Sequence, residues 1–224
     1  MANFFSDFSF LKNYWQFFVM GVEVTIELAI VSIILGTVLG VMLAMAKRSK
    51  VWILSLLSKA FIGFIRDTPL LAQIYIVYIA LPEVTGLSVP DFVTGAVALT
   101  LYSSAYIAEI IRSGIQSLPA GQSEAAASLG MTSRQAMRDI ILPQAFKNIL
   151  PALGNQFIGN VKDSSLVSVL GITDLMYQAQ TVRGSTALGL QPILVASGLY
   201  LIMTWLLNRV LSYVERRMSV SDNR

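Results

Sequence analysis

The sequence predicts an all-α, polytopic membrane protein, and three observations carry that prediction. Of its 224 residues, 55% are hydrophobic and only 13% are charged, about half the charged share of a soluble domain. Mean hydropathy is +0.67. Apolar stretches of about 20 residues, enough for a helix to cross a bilayer core, recur along the chain. The basic residues are clustered between alternate stretches, as in cytoplasmic loops. The same composition excludes several functions. There is no cysteine and no histidine, so disulfides, thiolate chemistry, a Ser-His-Asp triad and histidine- or cysteine-ligated metal sites are all absent. Neither a catalytic centre nor a metal site is expected. A net charge of +3 and a pI near 9.2 reflect loop lysines and arginines, and nucleic acid is not an expected partner.

Five spans are expected. The first covers 17–46, with Glu23 and Glu27 at its outer end and Gly36 and Gly40 spaced for close helix packing. Its apolar run is too long for a cleaved signal peptide, and its basic cluster follows instead of preceding it. The second covers 60–81 and is interrupted by Arg66-Asp67-Thr68-Pro69. Its clean part, 70–81, extends only about 18 Å at 1.5 Å per residue. That is short of a core of about 30 Å, so the polar knot belongs at membrane depth. The third covers 92–111, the fourth 152–172 and the fifth 191–211. Lys47, Arg48 and Lys50 follow the first span, and Arg112, Arg134, Arg138 and Lys147 follow the third. Arg209, Arg216, Arg217 and Arg224 close the chain, while the loops after the second and fourth spans are poor in bases. The alternation puts the N-terminus outside and the C-terminus in the cytoplasm.

The connection 113–151 is long for a loop and has structure of its own. Residues 122–129 are rich in helix formers, and Gly130 follows as a stop. Thr132 and Gln135 have capping-box spacing. A second helix is expected to bend near Pro143 and to run until Pro151. Ala125, Ala126 and Ala127 make the first helix slim enough for a partner to approach its backbone, so the pair reads as a docking element or as a surface-lying connector.

Glu124-Ala125-Ala126, three residues, Gly130, nine residues, Ile140, one residue, Leu142-Pro143 resembles the E-A-A-x3-G-x9-I-x-L-P signature of membrane subunits of ATP-binding-cassette importers. Arg66-Asp67-Thr68-Pro69-Leu70-Leu71 resembles the R-x-T-P-L-L stretch of the polar amino-acid permeases in that group. Gly154-Asn155-Gln156-Phe157 and Lys162-Asp163-Ser164-Ser165-Leu166 are similar to their G-N-x-F and K-D-S-S-L segments. The similarity covers about residues 15–217. Asp67 departs from it, since many relatives carry glycine or asparagine there, and cargo preference stays open. The resemblance implies a five-helix type I importer fold forming one permease domain in a prokaryotic cytoplasmic membrane. It also implies a second permease subunit, identical or paralogous, and an extracellular binding protein that delivers an amino acid. A cytoplasmic ATPase dimer, carrying ATP and magnesium, is implied to dock on the 122–130 helix. The chain has no G-x-x-x-x-G-K-[ST] loop, so no cofactor is expected on it.

Polar residues at membrane depth are expensive and face a cavity or a partner. Arg66, Asp67 and Thr68 stand at a helix break, where exposed backbone groups and mixed charges suit a zwitterionic solute; the other reading is a kink satisfied by neighbouring helices. Gln156, Asn160 and Ser164 share one helix face, with Lys162 and Asp163 beside them. They line a translocation path or hold the bundle together. Tyr102, Ser103 and Ser104 add hydrogen-bonding groups in the third span, and Glu109 and Arg112 form an i, i+3 pair. The competing function is a self-sufficient ion-coupled secondary transporter or channel; against it, no internal repeat is evident.

Overall fold

A computed structural model describes residues 8–220, and all regular structure among them is helical. The helices are α1 (Leu11–Lys47), α2 (Trp52–Asp67), α3 (Leu70–Thr85), α4 (Asp91–Gln116), α5 (Gly121–Ser128), α6 (Ser133–Ala136), α7 (Leu142–Asp163), α8 (Leu175–Thr186) and α9 (Gln191–Val220). A π-helical turn, Met137–Ile141, joins α6 to α7, and a 3-10 segment, Ser164–Leu170, follows α7.

α1 and α4 form the spine. A Cβ placed on Gly36 would lie 2.8 Å from the Ser103 side chain, and one on Gly40 would lie 2.8 Å from Ile107. Only glycine lets the two helices approach so closely. Leu28 meets α4 near Gly95, so position rises together along both helices and they run in parallel. α7 runs against them: Ile149 packs on Gly114, and Asn160 lies level with Ser103. α9 runs with α1 and α4, since Leu211 packs on Gly154 and Tyr200 reaches Asp174. One end of the bundle therefore collects the C-terminal ends of α1, α4 and α9 together with α5, α6 and the start of α7. Buried Leu28, Ile74, Leu99, Val161, Val167, Leu175 and Val182 fill the interior.

By length and hydropathy, α1, α4 and Gln191–Met218 of α9 qualify to cross a membrane, and α2 with α3 makes a fourth if the bent pair counts as one. α7, which carries Gln156, Asn160, Lys162 and Asp163, does not qualify. The observed elements correct the expected bounds in several places. The second span is not continuous: α2 and α3 diverge by 118°, because Thr68 is extended before Pro69, as proline requires of its predecessor. The helix expected to stop at Pro151 runs through it to Asp163, since proline's φ is itself helical and only one backbone bond is lost. The fourth stretch, 152–172, is α-helical only to Asp163. Ser164, Ser165 and Ser168 each donate their hydroxyl to the carbonyl three residues back, a competition with the helix ladder that accompanies the tighter 3-10 winding. Gly171, at φ +84°, ends it.

The loop expected after the fourth span contains a helix, α8. Asp174 caps it, accepting from the amides of Tyr177 at 2.9 Å and Met176 at 3.3 Å. Tyr200 of α9 donates to the same carboxylate at 3.0 Å. Burial pushes the Asp174 carboxyl up to about 6, and these three donors pull the other way.

Candidate functional site

Three groups of predicted residues can be built up from their helices. The first is the helix pair after α4. α5 ends in a Schellman arrangement in which Met131 donates to Ala126 and Gly130 donates to Ala127. Gly130 has φ +77°, the left-handed conformation that glycine adopts without strain. Thr132 and Gln135 form the expected capping box: the Gln135 amide donates to Thr132 Oγ1 at 3.3 Å, and the Thr132 amide donates to Gln135 Oε1 at 2.9 Å. Gln144 Nε2 of α7 donates to Gln122 Oε1 at 3.2 Å, and Asn148 Nδ2 donates to Ser117 Oγ at 2.9 Å. The first bond ties α5 to α7, and the second ties the end of α4 to α7.

The signature residues divide between two faces of this unit. Ala126 is buried against the rest of the unit, with Ala136 and Ile141 also buried and Ile140 partly covered. Glu124, Ala125, Ala127 and Gly130 are exposed, as are Leu142 and Pro143. Of the three alanines, Ala126 packs into the unit, while Ala125 and Ala127 face outward. Leu129 is 82% exposed at the tip.

The second group surrounds the break between α2 and α3. Thr68 Oγ1 donates to Phe64 O at 2.7 Å. The amide of Gln73, one turn into α3, spans the break. Its Nε2 lies 2.7 Å from Ile65 O, 3.1 Å from Thr68 O and 2.9 Å from Thr68 Oγ1, replacing ladder bonds that Pro69 cannot make. Sequence reasoning missed Gln73, although it is the only amide side chain between Leu70 and Leu81. Arg66 points away from the break: its guanidinium lies 3.5 Å from Glu109, which also pairs with Lys47 and, at 2.8 Å, with Arg112. One carboxylate thus holds the ends of α1, α2 and α4. Asp67 is exposed and forms no ion pair among the described residues.

The third group lies on α7. Asn160 is fully buried. It donates to Ser32 of α1 at 3.0 Å and to Ser103 of α4 at 2.8 Å, and Gln156 donates to its oxygen at 3.0 Å. Ser164 is also fully buried, with its hydroxyl turned back on Val161. Lys162 is exposed and Asp163 partly so, with no ion pair for either among the described residues. Tyr102 packs on Tyr106, with ring centroids 4.7 Å apart and planes tilted by 44°. Asn160 and Ser164 therefore sit inside the bundle, whereas Gln156, Lys162 and Asp163 retain access to its surface. Asp67 belongs to a different part of the chain and makes no hydrogen bond to them among the described residues.

The arrangement can dock a partner at α5 and hold polar groups at a broken helix, and no combination of nucleophile and base appears among the described residues. Comparison with known proteins agrees with that character. The family described as "Binding-protein-dependent transport system inner membrane component" matches residues 36–220. An arginine transport system permease protein of Bacillus subtilis, ArtQ, is 37% identical over 220 residues, covering 96% of this chain and 99% of that protein. A probable glutamine ABC transporter permease of the same organism, GlnM, is 41% identical over 213 residues, covering 95% and 98%. A crystal structure of an amino acid ABC transporter with histidines superposes at a TM-score of 0.90 and 42% identity, covering 94% of this chain and 98% of that one. The MetNI methionine transporter, at 21% identity and a TM-score of 0.75, shares the fold.

Proposed function

The chain belongs to the family of binding-protein-dependent transport system inner membrane components, and on that premise we propose that it is the membrane-spanning subunit of an ATP-driven importer of a polar amino acid. The observation that carries the reading is α5: a short, capped helix, exposed on every residue but Ala126, at the end of the bundle where bases collect. A helix tied to α7 by the Gln144 amide transmits a push to the bundle, because α7 is in turn bonded to the end of α4 through Asn148 and to α1 and α4 through Asn160. The chain has no phosphate-binding loop of its own, so ATP and magnesium belong to a separate cytoplasmic ATPase. An extracellular binding protein supplies the solute, and a second permease subunit completes the path.

In this reading α7 is the fourth of five spans in chain order, its polar groups satisfied inside the assembly. Lysine and arginine at the α5 end make that end cytoplasmic, and the N-terminus lies outside. The solute path uses the break. The first amides of α3 have no intrahelical partner and suit a carboxylate, and the exposed Asp67 suits an ammonium. Gln156 and Lys162 add a donor face, while Asn160 and Ser164 hold the helices together. The names of the relatives, arginine and glutamine transporters among them, support a polar or cationic amino acid.

The test is uptake and solute-stimulated ATPase activity in the co-expressed complex carrying Glu124→Ala or Gly130→Val. Both activities should fall together while the ATPase keeps its basal rate. Wild-type values for both variants would remove α5 from the coupling.

A further inference from the structure

α2 does not follow the direction of the helices around it. It starts beside α1, where the Ser55 and Ser58 hydroxyls donate to the carbonyls of Lys47 and Leu43. It ends beside α4, where Ile65 clusters with Ala105 and Ala108 and Arg66 reaches Glu109. Gly40 against Ile107 fixes the register of α1 and α4, so Leu43 and Glu109 stand at nearly one level. α2 therefore crosses from α1 to α4 at the α5 end of the bundle and runs along neither. α3 then turns away and runs antiparallel to α4, since Ile74 clusters with Leu99 and only residues 86–90 join the two helices. The 118° bend is 28° more than a right angle, so with α3 along the membrane normal α2 lies close to the membrane plane. α3 has 16 residues and rises about 24 Å, most of a hydrocarbon core of about 30 Å.

The sequence of α2 suits that position. Ser58, Ile62 and Ile65 are buried and mark the side that faces the bundle. At about 100° per residue, the opposite side carries Ile53, Leu56, Leu57 and Phe64, all apolar and all exposed. Ser55, Lys59 and Arg66 share one edge between these sides, with Trp52 beside them, and Leu54 and Phe61 make the other edge. Arg66 reaches Glu109, while Ile65 packs further in on Ala105 and Ala108. The basic edge therefore faces out of the bundle at the α5 end, and the apolar edge faces its interior levels. From residue 28 to residue 66 there are five bases and no acid. Glu109 engages two of them, Lys47 and Arg66. Arg48, Lys50 and Lys59 are exposed and form no ion pair among the described residues. Trp52, four residues after Arg48, is 71% exposed.

We propose that α2 lies in the plane of the leaflet at the α5 end, its apolar face in the acyl region and Arg48, Lys50 and Lys59 on anionic lipid headgroups. A helix that is polar along one edge and apolar elsewhere is stable at that boundary. Tryptophan at headgroup level anchors it, and bases near an anionic surface add to the attraction. The layout of charge decides for lipid over a second protein chain. The bases stand on the one edge that meets headgroups, and the outward side from Ile53 to Phe64 offers a protein no hydrogen-bonding side chain. The proposal requires that the bundle cross a bilayer and requires nothing of the transport reading.

The chain has no cysteine, so I53C, L57C and F64C each take a single nitroxide. The full chain is reconstituted in vesicles of phosphatidylcholine and phosphatidylglycerol, and the contrast between relaxation by oxygen and by a water-soluble nickel chelate gives the depth of each label. From residue 53 to residue 64 a helix on the membrane normal changes depth by about 16 Å. At 28° from the plane it changes depth by about half of that, roughly 8 Å. All three labels should favour oxygen, with depths that differ by 8 Å or less. A difference closer to 16 Å overturns the proposal. So do labels that neither reagent reaches, because protein then covers the face, and labels that favour nickel, because the face is then in water. The lipid is tested at Trp52, the one tryptophan left in a W15F/W205F background. One base near an anionic surface is worth about fivefold, so acyl-brominated phosphatidylglycerol should quench Trp52 at least fivefold more effectively than brominated phosphatidylcholine. That preference should fall towards unity in R48Q/K50Q/K59Q and survive in R48K/K59R. Equal quenching in the protein with its bases overturns the proposal, even if the glutamine variant fails to fold, and so does a preference that the glutamine variant retains.

Discussion

Replacing Asn160 by leucine separates a side chain that holds the bundle from one that lines a path. The amide joins α7 to Ser32 of α1 and Ser103 of α4, and it accepts from Gln156. Leucine has the same branched outline, with bulkier methyl groups in place of the amide oxygen and nitrogen, so every polar partner is lost. Ser32 and Ser103 keep backbone acceptors at Ala29 and Leu99, at 3.1 and 2.7 Å, and neither hydroxyl is left without a bond. The Gln156 amide does lose its partner. Interhelical hydrogen bonds in membranes average about 0.6 kcal/mol and reach about 1.7. Two of them give roughly 1–2 kcal/mol, and at about 2–4 °C per kcal/mol the midpoint should drop by about 2–8 °C. Thermal unfolding of the purified complex, followed by size-exclusion chromatography, measures this. A double-mutant cycle with Ser103→Ala should show a coupling of about 0.6 kcal/mol or more, because the residues touch. An unchanged midpoint with uptake abolished would falsify the reasoning, since Asn160 would then act on the solute and not on its neighbours.

The other predictions follow from particular contacts. Gln73→Leu removes the amide that spans the α2–α3 break and leaves carbonyls of Ile65 and Thr68 short of a donor; a loss of about 1–3 kcal/mol is expected, read as a lower midpoint together with reduced uptake. Gly40→Leu puts a side chain where Ile107 already sits, 2.8 Å from a bare Cβ, and should destabilise by about 1–3 kcal/mol; normal thermal stability would contradict the close α1–α4 crossing. The chain lacks cysteine, so Ser128→Cys reports the side of the membrane on which α5 lies. Labelling is expected only from the cytoplasm, and labelling from outside would refute the coupling assignment. Asp174, held near 6 against about 3.9 unfolded, binds its proton earlier in the folded state. Its contribution is fully present below about pH 4 and lost as pH rises through 6. Relative to Asp174→Asn, the wild type should therefore lose on the order of 2 kcal/mol between pH 4 and 7, measured by unfolding both proteins across that range.

Periodic hydrophobicity and local chemistry were legible without a structure. The all-helical membrane class, the Thr132–Gln135 capping box, the Gly130 stop and the break at Pro69 each depend on residues adjacent in the chain, whose preferences are set by φ, by a missing N–H or by a side chain reaching its own backbone. Residue types alone could not say which polar group meets which. Arg66, Asp67 and Thr68 are consecutive, yet Arg66 joins the Glu109 cluster, Thr68 closes on Gln73 and Asp67 stays exposed. Ala125 and Ala126 are chemically the same, and only packing turns one outward and buries the other. The polar sequence of α8 lacks an apolar period, and its place is set by contact with α1, where Gly21 meets Leu175. Local sequence decides where a helix begins, bends and ends. Which of its faces is wet, buried or charged depends on neighbours that the chain brings in from dozens of residues away, and only the folded arrangement decides that.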